Sequence, residues 1–218
     1  MFASDYDGTL AAQGIVAKDT YRALERLKRH GWHLILVTGR EVPDLMNIFP
    51  GFDLFDLIVA ENGAVLFDPC SGRDVLLCDP IPDRFAQTLA RKNVTPLSLG
   101  QVIVDTTRDH EQLVVETIRE LRLNLEITLN KGSLMVLPAG VDKASGLAAA
   151  LKRLQRSFEQ TVGVGDAEND FAFLNKCGLA VAVGNALPEL KDQADVVMKN
   201  DHGGGVVELI HELLEEHI

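Results

Sequence analysis

Cysteine is scarce: three residues in 218, Cys70, Cys78 and Cys177, odd in number and without a C-x-x-C pair. That excludes a disulfide scaffold and a cysteine-built zinc site, and leaves free thiols suited to a reducing cytoplasm. Long apolar runs are missing too. Stretches such as Leu34 to Val37 (LILV) fall far short of the roughly 20 residues a membrane span requires. The opening MFASDYDGTL places Asp5 and Asp7 where a secretory leader needs basic and then apolar residues, so a soluble cytoplasmic protein is expected. Positive charge is in deficit, with 21 Lys and Arg against 32 Asp and Glu, a net −11. Such a chain is a poor partner for nucleic acid or an anionic membrane surface. The sequence has no G-x-x-x-x-G-K-[ST] and no G-x-S-x-G, so P-loop and serine-hydrolase chemistry lack their residues. His30, His33, His110, His202, His211 and His217 show no metal spacing and read as surface or helix-end residues. Arg22, Arg26, Lys28 and Arg29 read as the solvated face of a helix.

What is present is an ordinary globular composition, 46% hydrophobic and 24% charged, of a length that suits one large or two small domains. Strands are expected at Phe2 to Ser4, His33 to Thr38 and Leu57 to Ala60, with a further one at GAVLF after the turn residues Asn62 and Gly63. Helices are expected from Lys18 to His30 and from near Glu41. Alternation of this kind indicates a parallel sheet with right-handed crossovers. Between about Pro80 and Pro138 the pattern changes. It reads as a helix near Pro82 to Arg91, a strand Gln101 to Thr106, a helix Asp109 to Leu121, and strands LEITLN and SLMVLP around Lys131-Gly132. Alternation then resumes with helices Asp142 to Leu154, Asn169 to Lys176, Pro188 to Gln193 and Gly205 to Glu216, and strands TVGVG, LAVAV and DVVM. Gly203-Gly204-Gly205 reads as a flexible loop leading into the last helix. The expectation is an α/β, Rossmann-like parallel core, discontinuous over residues 1–80 and 138–218, with a small inserted α+β cap at 81–137.

Three polar clusters follow apolar strands: Asp5-Tyr6-Asp7-Gly8-Thr9, Thr38-Gly39-Arg40, and Asp166-Ala167-Glu168-Asn169-Asp170. In a parallel sheet the carboxyl ends of the strands lie along one edge, where ligands bind, so the three clusters converge. Any one of them could be only a turn or a helix cap. Together Asp5, Asp7, Asp166 and Asp170 are hard oxygen donors, with no Cys or His to soften the set, and such donors select Mg²⁺. Carboxylates crowded together are costly without a cation, which argues again for the metal. Thr38 and the amides around Gly39 form a natural anion seat at a helix start. Lys143, opening another helix, adds a positive charge.

In order, DYDGT, the Thr38 of VTGR, Lys143 and GDAEND resemble the four motifs of the haloacid dehalogenase (HAD) superfamily. The resemblance runs over essentially the whole chain. AENGAVLF, GNALPELKDQADVV and NDHGGGVVELI resemble signature stretches of the Cof-type subgroup (subfamily IIB), which includes sucrose-phosphate phosphatase, phosphomannomutase and archaeal phosphoglycolate phosphatases. A cap this compact is most similar to that of the phosphoglycolate phosphatases. The resemblance implies a Mg²⁺-dependent phosphoric monoester hydrolase of a small phosphorylated metabolite, phosphoglycolate-like or a sugar phosphate, as monomer or homodimer. It implies Asp5 as the nucleophile that becomes an aspartyl-phosphate, with an ordinary pKa of about 4 keeping it anionic, and Asp7 as general acid and base. Thr38, Gly39, Lys143 and Asn169 would hold phosphate. The Asp5 carboxylate, the Asp7 carbonyl, Asp166 and Asp170 would hold or support Mg²⁺. Arg108, His110, Asn130 and Lys131 are the cap residues expected to read the leaving group. A phosphosugar mutase using the same intermediate, or a catalytically silent regulatory module, are the alternatives.

Overall fold

Phe2–Ser4 is the strand from which the main sheet grows in both directions. It pairs in parallel with Leu34–Val37 on one side and Val162–Gly165 on the other. Leu57–Ala60 extends the first side; Leu179–Ala182 and Val196–Val197 extend the second. Leu34–Val37 and Leu57–Ala60 are buried at every position, as expected of parallel strands covered on both faces. The computed structural model describes residues 1–215; Glu216, the expected end of the last helix, and His217 lie outside them.

Two strands break the parallel pattern. Only the turn Glu61–Gly63 and Ala64 separate Leu57–Ala60 from Val65–Asp68, too few residues for a parallel crossover, so the chain reverses and pairs antiparallel. Arg73–Leu76 then pairs antiparallel on Val65–Asp68 as an exposed eighth strand that the apolar pattern does not mark.

Residues between the two halves of the sheet build a second one. It is antiparallel, ordered Leu125–Asn130, Ser133–Pro138, Val104–Thr107 and Ser98–Leu99. Helices Asp83–Arg91 and Glu111–Glu120 close an apolar cluster with it through Phe85, Leu89, Val104, Val114, Leu134 and Val136. Val102, Ile103, Met135 and Leu137 belong instead to the main core, joining the insert to it.

Two expectations need correction. The strand expected from Gln101 begins only at Val104, because the amides of residues 101–103 bond a buried side chain, Glu61, and cannot pair in a sheet. The glycine triplet is not a loop, since the last helix runs His202–Leu214 and contains it. The small residue serves helix packing: a Cβ on Gly203 would sit 2.2 Å from Thr20 Oγ1 and 2.8 Å from the Leu10 carbonyl oxygen. That glycine lets the last helix settle against Lys18–Arg29.

Candidate active site

Strand order reverses beside Phe2–Ser4, and ligands in open α/β sheets bind at such a switch point, outside the strands' carboxyl ends. Asp5, Thr38 and Asp166 are each the first residue after one of the three central strands. Gly8 turns the first loop inward. Its φ of +89° is one that L side chains rarely adopt, and a Cβ there would lie 2.3 Å from Asp166 Oδ2. The loop after Phe2–Ser4 can therefore press onto the loop after Val162–Gly165 only with glycine at this position.

Asp5, Asp166 and Asp170 each offer a carboxylate oxygen, all within 4.8 Å of one another, and all three side chains are buried. Lys143 joins them from the start of helix Lys143–Arg153. Asp142 caps that helix, accepting from the Ser145 amide, while the Ser145 hydroxyl accepts from the Asp142 amide. The cap sets Lys143 at the first helical position, with Nζ 2.5 Å from Asp5 Oδ1 and 2.7 Å from Asp170 Oδ1. Asp170 Oδ2 accepts from the backbone amides of Asp166 and Ala167, which fixes the acidic loop. Asp166 takes hydrogen bonds from Thr9 Oγ1 at 3.1 Å and from Lys131 Nζ at 2.6 Å.

Burial pushes the Asp5 carboxyl well above the usual carboxylate range, and the charge of Asp170 adds to the rise against the pull of Lys143. The expectation of an ordinary pKa at Asp5 is thus corrected: desolvation, invisible in sequence, raises it. Asp166 is raised as well, by burial and then by Asp170. For Lys143 burial alone works downward, but Asp170 and Asp5 overcome it and hold the ammonium above its ordinary value. Three carboxylates face two ammoniums, leaving one formal negative charge over. Asp5 Oδ2 is buried without a hydrogen-bond partner among the described residues. An all-oxygen donor set with an orphaned buried carboxylate oxygen fits a hard divalent cation.

Other expected residues lie around this center. Thr38 is buried, and its Oγ1 accepts from the Arg40 amide at 3.1 Å. Gly39 faces the Asn62 side chain and Met135. The Asp7 carboxylate is outside the cluster and pairs with both Arg40 Nε (2.6 Å) and a terminal Arg40 nitrogen (2.8 Å). Asn169 donates to Asn62 Oδ1 at 3.0 Å, and its own Oδ1 is buried with no partner among the described residues. Of the insert residues, Lys131 reaches the site. Arg108 pairs loosely with Glu111, and His110 bonds the Thr95 carbonyl oxygen within the insert. Asn130 pairs with Ser133 to close the hairpin.

The sequence profile of the haloacid dehalogenase-like hydrolases matches residues 2–95 and 87–210. The chain belongs to that family. This HAD hydrolase is 28% identical over 222 residues to phosphoglycolate phosphatase 2 of Saccharolobus solfataricus, covering 98% of this chain and 92% of that protein. It is 26% identical over 235 residues to the 5-amino-6-(5-phospho-D-ribitylamino)uracil phosphatase YcsE of Bacillus subtilis, covering 96% and 94%. A haloacid dehalogenase-like hydrolase from Bacteroides thetaiotaomicron shares the fold, with a TM-score of 0.79 at 20% identity over 97% of this chain and 98% of the other. The α/β core with a mostly parallel sheet is the HAD fold.

Several site residues of this HAD hydrolase escape sequence reasoning. Arg40 stands in the quoted VTGR, but nothing local shows that its guanidinium turns to Asp7 and Asp44 and lies 5.5 Å over the Tyr6 ring. Asn185, within GNALPEL, donates to the Gly8 carbonyl oxygen at 2.8 Å, and the His202 amide donates to Asn185 Oδ1 at 2.6 Å. An Asn just past a buried strand was the available signal.

Proposed function

We propose that this HAD hydrolase is a Mg²⁺-dependent phosphatase of a small phosphorylated metabolite, phosphoglycolate-like or a sugar phosphate, working through an aspartyl-phosphate on Asp5. The observation that carries the reading is the buried Asp5–Asp166–Asp170 cluster with Lys143 against it and Asp5 Oδ2 unpartnered among the described residues. The names of the relatives, phosphatases of phosphoglycolate and of a phosphoribityl compound, support the substrate class. Free thiols at Cys70, Cys78 and Cys177 suit a cytoplasmic setting.

Asp5, Asp166 and Asp170, with the Asp7 carbonyl, would hold Mg²⁺, which when bound supplies charge neutralisation at the phosphoryl oxygens. A free carboxylate oxygen of Asp5 attacks phosphorus as the bond to the leaving oxygen breaks, and Asp7, once protonated and released from its pairing with Arg40, gives that oxygen its proton. Asp7 then takes a proton from the water that cleaves the acyl phosphate, which regenerates Asp5. Lys143 holds the nucleophile in place. Thr38, the amides around Gly39, and Asn169 bind the phosphoryl oxygens. Residues 81–137 act as the cap that selects the leaving group, with the Lys131 hairpin over Asp166. The chemistry is mostly positioning and electrostatics, so rigid placement of these groups matters more than their number.

The test is phosphate release from p-nitrophenyl phosphate with Mg²⁺. Wild type should turn over, and Asp5→Asn should lose at least about 10³-fold in kcat. An inactive wild type, or an Asp5→Asn variant with full activity, ends this reading.

A further inference from the structure

The turn Glu61–Gly63 lies just past the carboxyl end of Leu57–Ala60 and holds an unusual backbone. Glu61 and Asn62 have φ of 49° and 51°, in the left-handed region that non-glycine residues rarely occupy. Such a conformation persists where surrounding contacts over-determine it. The Glu61 amide donates to the Arg40 carbonyl oxygen at 3.0 Å within the core, and the hydrogen bonds on its side chain come from the insert. Glu61 is 1% exposed, and its carboxylate accepts three successive backbone N–H groups: Gln101 on Oε1 at 2.9 Å, and Val102 and Ile103 on Oε2 at 2.8 and 2.9 Å. Converging backbone amides make an anion-binding nest. Here the anion is a core side chain and the nest belongs to the insert.

The fit is close on the insert's side as well. A Cβ on Gly100 would lie 2.6 Å from Glu61 Oε2. Val102 and Ile103 bury into the main core at the same point. One residue on, Asn62 accepts from Asn169 and donates to Met135 Sδ of the insert's central hairpin. A single turn therefore grips the insert at two places and touches the residue next to Asp170.

We propose that Glu61 is a positioning residue for the reaction: its carboxylate pins residues 101–103 and so sets the insert over the Asp5 site. The proposal rests on the phosphatase reading above, in which the insert selects the leaving group. Both carboxylate oxygens must accept, because Gln101 bonds one and Val102 and Ile103 the other. Glutamine has nearly the same shape but brings an N–H₂ against an N–H donor, so Glu61→Gln breaks the grip without opening a cavity.

In Glu61→Gln, amide exchange at Gln101, Val102 and Ile103 should accelerate by about tenfold or more, while exchange in Phe2–Ser4 and Val162–Gly165 stays as in wild type and reports an intact core. With p-nitrophenyl phosphate and Mg²⁺, KM should rise by about fivefold or more, with kcat within about threefold of wild type. Gly100→Ala, which disturbs the same contact from the insert, should show the same pattern. Glu61→Asp keeps the charge and should fall between wild type and Glu61→Gln. Unchanged exchange at the three amides, or faster exchange with an unchanged KM, overturns the positioning role. Inactive wild type with accelerated exchange in Glu61→Gln would instead sink the phosphatase reading and leave the grip on the insert standing.

Discussion

Lys143 carries one ammonium into a buried place that holds three carboxylates, and two of them bond it directly. Breaking a buried ion pair by removing one partner costs about 3–5 kcal/mol, because the remaining charge has neither water nor counter-ion. Lys143→Met, of similar length, is therefore expected to lose about that much stability to urea in the presence of a chelator. With excess Mg²⁺ the gap should narrow, since a cation at the cluster restores neutrality. A gap equally wide in both conditions would mean that Mg²⁺ does not take over the charge that Lys143 supplies at the cluster. The cysteines give a second expectation at this scale. Burial pushes the Cys177 thiol up to about 12, whereas Cys70 is exposed. Alkylation requires the thiolate, and burial favours the neutral thiol, so raising the pH should help Cys177 without catching it up. Iodoacetamide at pH 8 should modify Cys70 well before Cys177, as read by peptide mass spectrometry. Prior labelling of Cys177 would contradict the burial.

Between elements, the junction of Glu61–Gly63 with helix Lys143–Arg153 is where a small change should matter most. Gly63 has φ +105°, and a Cβ on it would lie 1.9 Å from the Asp142 carbonyl oxygen at the helix start. Gly63→Ala combines a left-handed backbone with a clash against another backbone, neither of which can rotate away. A loss of roughly 3 kcal/mol or more is expected, a fall in Tm of roughly 6–12 °C for a chain of this size. Calorimetry checks it, and an unchanged Tm would show that the junction gives way easily. This place is half legible in sequence. Asn62 and Gly63 mark a turn, and Asp142 with Ser145 marks a helix start, but no periodicity says that the two meet. The exposed strand Arg73–Leu76 is illegible for a different reason: it buries nothing, so it leaves no apolar alternation to read.

Across the whole molecule, the net charge of −11 counts against an anionic substrate until the charges are placed. Three of the acidic residues meet at the switch point of the sheet, where a bound cation would make the spot attractive to phosphate. A metal that binds only the folded chain stabilises it by mass action, by about 2.7 kcal/mol at a hundred times its Kd. Thermal scans should therefore show Tm rising by roughly 5–11 °C with saturating Mg²⁺. Asp166→Asn should abolish most of that rise. A rise of the same size in Asp166→Asn would place the metal elsewhere.

Much of this protein is determined along the chain itself. Apolar runs of strand length, helical spacing between them, and Asp or Thr immediately after a buried strand are local properties, and they suffice for the α/β core, the insert and the convergence of Asp5, Thr38 and Asp166. What the tertiary structure alone decided is how these groups pair. Glu61 grips an amide 40 residues away, Arg40 binds an aspartate 33 residues back, and Lys131 reaches Asp166 across 35 residues. Desolvation of Asp5 is likewise a property of what surrounds it. Pairing and burial depend on distances through space, which only the packed fold sets.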